Sequence, residues 1–163
     1  MKPLFIALFA ANVGLSLASC FLLPERIASH FGVGGQPNGW MSNSAFAATM
    51  VGTDTLLFVT FLFSSRLLRV CPTSLVSLPN RDYWLSPENR PRMEGILDRL
   101  MMEYGVVMFL FMLVLGVLVL QANLTEPALL NERPLLYALG VLLVYTVYWT
   151  VKCFRSFRIP AAA

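Results

Sequence analysis

Four long apolar runs govern what this chain can become. They fall at about residues 3–23, 44–68, 104–120 and 135–151, each near the ~20 residues an α-helix needs to cross the hydrocarbon core of a bilayer. Inside hydrocarbon every backbone N–H and C=O must be paired within the segment, so runs of this kind become helices. The rest of the composition agrees. The 163 residues are 57% hydrophobic and 13% charged, against about 25% charged in soluble domains. The expected fold is an all-α membrane protein, a four-span transmembrane helical bundle forming one integral-membrane domain with the lipid bilayer as its solvent.

Charge sets the expected orientation. Placing both termini and the 69–103 loop in the cytoplasm puts Lys2, Arg66, Arg69, Arg81, Arg90, Arg92, Arg99, Lys152, Arg155 and Arg158 inside and leaves only Arg26 and Arg133 outside, as positive-inside bias requires. The net charge of +3 is modest and its carriers flank the spans, so no basic face stands free for a nucleic acid. Cys20, Cys71 and Cys153 show no CxxC spacing, which argues against a disulfide framework or a zinc site. Leu17-Ala18-Ser19-Cys20 is similar to a lipobox, but with three further spans a lipid anchor is redundant.

Residues 24–43 form a polar island between spans one and two, the expected outer cap. Pro24 suits the first position of a short helix. Ile27 and Phe31 then stand at i and i+4 on one apolar face, with Glu25, Arg26, Ser29 and His30 on the others. Gly32 is placed to end that helix in a left-handed conformation. Gln36-Pro37-Asn38-Gly39 reads as a reverse turn, and Trp40 as an interfacial ring. Ser42, Asn43 and Ser44 are the candidate N-caps of the next helix. On the cytoplasmic side, Ser77-Leu78-Pro79-Asn80-Arg81-Asp82-Tyr83-Trp84-Leu85 is a turn followed by an aromatic pair expected in the headgroup layer. Pro91 opens an amphipathic helix whose Met93, Ile96, Leu97, Leu100, Met101 and Tyr104 share one face, expected to lie on the inner surface before the chain turns into span three.

Two of these stretches together resemble a bacterial inner-membrane family. Leu23-Pro24-Glu25-Arg26-Ile27 through His30-Phe31 to Gly39-Trp40 is similar to the "LPxxIxxHF…GxxxGW" element of a domain of unknown function. That domain also forms the N-terminal part of the immunity and signalling proteins that protect sporulating bacilli from the sporulation-delaying toxin. Leu78-Pro79-Asn80 with Tyr83-Trp84-Leu85 resembles a stretch of that family's cytoplasmic loop. Ala28 and Asn38 depart from the family's usual proline and aspartate, and the chain has fewer spans than the full immunity proteins. The resemblance implies a bacterial inner-membrane protein most of whose relatives lack a defined activity; binding of a peptide toxin or a membrane-protein partner through the outer cap is the expectation set beside it.

The candidate functional residues fall into three groups. Asp54 stands near the middle of span two, where a carboxylate costs about 2.5–3.5 kcal/mol to insert. It is expected to face the bundle and bond to Asn12, which lies at a similar depth in span one and shares a helix face with Ser16 and Ser19, or to another buried polar group. Glu25, His30, Phe31 and Trp40 belong to the cap; His30 has only Glu25 nearby, short of a three-ligand zinc set. Asp82, Tyr83 and Trp84 belong to the inner loop. No nucleophile elbow accompanies Ser29-His30. Neither enzymatic activity, a cofactor nor a metal is expected. The leading expectation is an immunity or signalling protein. Its rival is a small transport or channel subunit, a homo-oligomer with a polar path around Asp54 and Asn12.

Overall fold

In the computed structural model, which describes residues 1–159, the chain forms six α-helices and one β-hairpin. They run α1 (Lys2–Leu22), β1 (Arg26–Phe31), β2 (Pro37–Ser42), α2 (Asn43–Leu62), α3 (Ser64–Val70), α4 (Arg81–Trp84), α5 (Arg90–Asn123) and α6 (Glu132–Ser156), with one-turn 3₁₀ segments at Val33–Gly35 and Thr73–Leu75. Four helices, α1, α2, α5 and α6, are long and apolar enough to cross a membrane.

Helices α1, α2 and α5 pack on one another, while α6 packs chiefly against α5 and buries no residue completely. The three-helix core is aromatic at the end opposite the hairpin. Phe5 stacks on Phe58 at 5.2 Å between ring centroids, Phe9 on Phe58 at 4.3 Å, and Phe5 lies tilted at 5.2 Å from Phe109, the offset and edge geometries that aromatic quadrupoles favour. Gly105 makes this packing close, because a Cβ there would stand 2.6 Å from Phe5 Cε2. Gly116 admits Leu15 in the same way, whereas Gly140 has open space around it. At the α5–α6 seam, Lys152 Nζ donates to Glu103 Oε1 (2.7 Å), Tyr145 Oη donates to the same oxygen (3.1 Å), and Tyr104 and Thr146 share a hydrogen bond.

The cap differs from the helix-and-turn expected of residues 24–43. It is an antiparallel hairpin, with β1 paired to β2 in the register Arg26–Ser42, Ile27–Met41, Ala28–Trp40, His30–Gly39 and Phe31–Pro37 and a bulge between Ala28 and Phe31. The i and i+4 spacing of Ile27 and Phe31 fits a strand as well as a helix, because positions an even number apart line one face of a strand. What decides the matter is the pair Gly34 (φ 81°) and Gly35 (φ 71°), which supplies the left-handed turn; Gly32 is extended instead. Across the turn, Gly32 N–H donates to Gln36 O (2.8 Å). Pro37 opens β2, the strand position where a missing N–H costs least, and Asn38, Trp40 and Ser42 alternate outward with period two. Ser42 is the N-cap of α2, its Oγ accepting from Ala45 N–H. Asn43 Nδ2 donates to Cys20 O and Leu23 O, covering the free carbonyls at the end of α1.

Two further expectations are corrected at the opposite end. The amphipathic segment from Pro91 does not lie flat and then turn; it is the first third of α5, which runs unbroken for 34 residues, roughly 50 Å. No glycine–proline break or π-bulge interrupts it, so as one helix it is longer than the ~30 Å core requires. Trp84 does not rest in a headgroup layer either. It is 1% exposed, packed with Met93, Leu100 and Phe157, and its indole N–H donates to Phe157 O (2.8 Å).

Candidate functional site

The sequence-predicted residues fall at three separate levels of the molecule. Glu25, His30, Phe31 and Trp40 stand together on the hairpin, Asn12 and Asp54 meet midway along the three-helix core, and Asp82, Tyr83 and Trp84 lie at the far end.

The hairpin is locked to the rest of the chain by residues that were not singled out in the sequence. Asn123, the last residue of α5, clamps Ala28 from the side. Ala28 N–H donates to Asn123 Oδ1 (2.7 Å), and Asn123 Nδ2 donates to Ala28 O (2.9 Å) and to Val119 O (3.0 Å). The carboxamide therefore occupies the outer edge of β1 as a neighbouring strand would. The tip is held by the loop before α6, where Leu130 N–H donates to Gly35 O (3.0 Å) and Gly34 N–H donates to Glu132 Oε1 (2.8 Å). Ile27 and Phe31 point down, against Phe46, Val119, Leu118 and Leu130.

The opposite face of the hairpin is open. Trp40 is 48% exposed and Val33 fully so, and the Arg26 guanidinium lies 6.0 Å from the Trp40 ring centroid, within cation–π range. His30 is exposed, with Nδ1 3.0 Å from Ser29 Oγ, and its Cβ is so near Gly39 that a side chain there would meet it at 3.0 Å. Glu25 is exposed and contributes its carbonyl, which accepts from Asn43 N–H. In an antiparallel ladder, directly opposed residues turn their main-chain groups either both inward or both outward. Since Ala28 turns its groups out to Asn123, its partner Trp40 turns its own N–H and C=O out along the second, unpaired edge of the two-stranded sheet.

At mid-depth, Asp54 faces the bundle as expected but does not bond to Asn12. Asn12 Nδ2 is engaged by Leu8 O (2.9 Å) and Phe109 O (3.0 Å), the second bond tying α1 to α5. Asp54 is 2% exposed and its Oδ1 has no hydrogen-bond partner. The two residues line one cavity of about 20 Å³ together with Ser16 and Ser19. Among the described residues, no group of three or more His, Cys, Asp or Glu is arranged to hold a metal ion.

At the far end, Asn80, in the left-handed conformation (φ 54°), donates through Nδ2 to Phe157 O (3.0 Å), the same carbonyl that receives the Trp84 indole. The Leu-Pro-Asn…Tyr-Trp stretch thus satisfies the end of α6. Tyr83 packs edge-on to Trp84 at 5.1 Å, and Asp82 is exposed beside Arg81. Arg69 of α3 makes a two-pronged ion pair with Glu94, one prong measuring 2.9 Å, and Arg90 approaches Glu94 from below at 3.5 Å. Glu94 stands on the polar part of α5, before its apolar stretch. Hydrogen bonding from the Arg69 guanidinium holds its carboxyl below the usual glutamate value.

Asn123, Gly35 and Glu94 were each readable only as generic polar or turn residues. The one available signal for Asn123 was its position at the end of an apolar run, where an amide has either to cap a helix or to reach a neighbour. No curated protein and no solved structure matches the chain. Residues 7–53, which make up most of α1, the whole hairpin and α2 as far as the residue before Asp54, match the family described as Domain of unknown function (DUF1648).

Proposed function

We propose that this is a non-enzymatic bacterial inner-membrane protein of the immunity and signalling type. Its termini lie in the cytoplasm, its hairpin binds a peptide toxin or a membrane-protein partner outside, and α5 passes the bound state inward. One observation carries the reading: Asn123 joins both main-chain groups of Ala28 to the end of α5, so the exposed hairpin and a 34-residue helix move as one body. The far end of that helix holds the Arg69–Glu94 pair amid ten of the twelve Lys and Arg residues. That distribution supports a cytoplasmic location for this end. The open edge at Trp40 favours an extended peptide, which would add as a third strand with its side chains against Trp40 and Arg26.

A conducting path through Asp54 and Asn12 is less well supported. The cavity they share, about 20 Å³, has room for about one water molecule, and α6 contributes no residue to its lining.

The test is growth of cells expressing the protein under a panel of membrane-active peptides, with expression levels matched. Protection by the wild type, lost with Trp40→Ala or His30→Ala and kept with Asp54→Asn, is the expected pattern. Protection that depends on Asp54 would redirect attention to the bundle interior, and no protection from any variant would sink the immunity reading.

A further inference from the structure

The cavity at mid-depth has an uneven polar lining. Asn12 has committed both amide hydrogens to Leu8 O and Phe109 O, so what remains of its carboxamide is an acceptor oxygen. Ser19 donates its hydroxyl hydrogen to Ser16 O at 2.6 Å, leaving oxygen lone pairs. Asp54 contributes a carboxylate, with Oδ1 buried and unpartnered. Only the Ser16 hydroxyl retains a hydrogen to offer. The remaining lining residues, Leu15, Leu23, Phe46, Met50, Met112, Gly116 and Leu120, offer none. Acceptors therefore exceed donors, and no lysine, arginine or histidine lines the cavity to balance Asp54.

An occupant that brings positive charge would balance such a site. A buried carboxylate without a counter-charge is costly, and hard cations are bound through oxygen ligands of this kind. A divalent ion would leave net positive charge in hydrocarbon beside a single carboxylate, whereas a monovalent one cancels it. The volume, about 20 Å³, is that of a water-sized body. We propose that Asp54, Asn12, Ser16 and Ser19 bind one dehydrated monovalent cation of sodium size, which neutralises Asp54 and joins α1 to α2 at the centre of the bundle.

The experiment is thermal unfolding of the full chain in lipid nanodiscs, titrated with sodium chloride at ionic strength held constant by choline chloride, and repeated with potassium chloride. The wild type is expected to gain stability with sodium along a single-site saturation curve and to gain less with potassium. Asp54→Asn, whose amide brings its own donors, is expected to lose the sodium response. Ser16→Ala, which keeps the carboxylate, is expected to raise the half-saturating sodium concentration several-fold, and provides the test if Asp54→Asn does not fold. Equal stability in sodium, potassium and choline would overturn the proposal. So would a sodium response that survives in Asp54→Asn, or one unchanged in Ser16→Ala. A wild-type response that follows pH alone would assign the site to a proton and a water, and would overturn it as well.

Discussion

Replacing Asn123 with alanine removes the clamp between the hairpin and α5 and leaves everything else in place. Ala28 is fully buried, so its N–H and C=O, now paired at 2.7 and 2.9 Å, would lose their partners without gaining water. Each orphaned buried group costs about 1–3 kcal/mol. Val119 O keeps a helical partner, so its lost bond adds little. A total of about 2–6 kcal/mol corresponds to a roughly thirty- to twenty-thousandfold rise in the open population of the hairpin, at about 1.4 kcal/mol per tenfold. The opening is local, because the Gly35–Leu130 and Asn43–Glu25 bonds remain. Hydrogen–deuterium exchange of the chain in nanodiscs reads it directly. Amides of residues 26–42 are expected to lose protection by that factor, and those of α3 and α4 to keep theirs. Asn123→Asp retains the acceptor for Ala28 N–H but sets an oxygen against Ala28 O, and is expected to fall at or below alanine. Unchanged hairpin protection in Asn123→Ala would refute both the clamp and the transmission argument built on it.

Gly35→Ala is expected to free the hairpin tip, since it pays about 1–2 kcal/mol for a left-handed alanine and also drives a Cβ to 2.0 Å from Leu130 O. Gly34→Ala bears only the backbone cost because its surroundings are open; equal proteolysis of the two tips would contradict this. Gly105→Ala is expected to lower stability by about 1–3 kcal/mol by displacing Phe5, whereas Gly140→Ala, in open space, should be neutral or gain up to about 1 kcal/mol of helix propensity; thermal melts in detergent distinguish them. Because Arg69 depresses the Glu94 carboxyl, the pair stabilises the fold above the ordinary glutamate value of 4.5. That contribution is lost as pH falls through the lower, folded value. Acid unfolding of Glu94→Gln should lack this step, and an acid profile identical to wild type would remove the pair from the account.

The spans were legible because hydrocarbon leaves a chain so few alternatives. Lys2–Leu22 and Asn43–Leu62 fall within a few residues of the ends read from apolar runs, apart from the last turn of the second run, which is separated as α3. The hairpin was not legible in the same way. Its inward residues Ile27 and Phe31 carry a spacing that a strand and a helix share, and only the consecutive glycines 34 and 35 tell them apart. Trp84 was misplaced because an aromatic pair beside a membrane reads as interfacial until the end of α6 is known to need a donor at Phe157 O. Asp54 and Asn12 were rightly brought to the same depth. Their missing bond follows from Phe109 O, a carbonyl 97 residues away from Asn12, which no local pattern announces.

The bonds that lock the hairpin also impose a schedule on synthesis. Ala28 leaves the ribosome 95 residues ahead of Asn123, on the order of ten seconds at ordinary elongation rates. In the later part of that interval α1, the hairpin and α2 are already made while the edge of β1 is still bare. The hairpin acquires its finished surroundings only when α5 is complete and has brought Asn123 and the Leu130 loop to it. The edge of β1 that is bare during that window is closed in the finished fold by Asn123, whereas the edge at Trp40 stays open throughout.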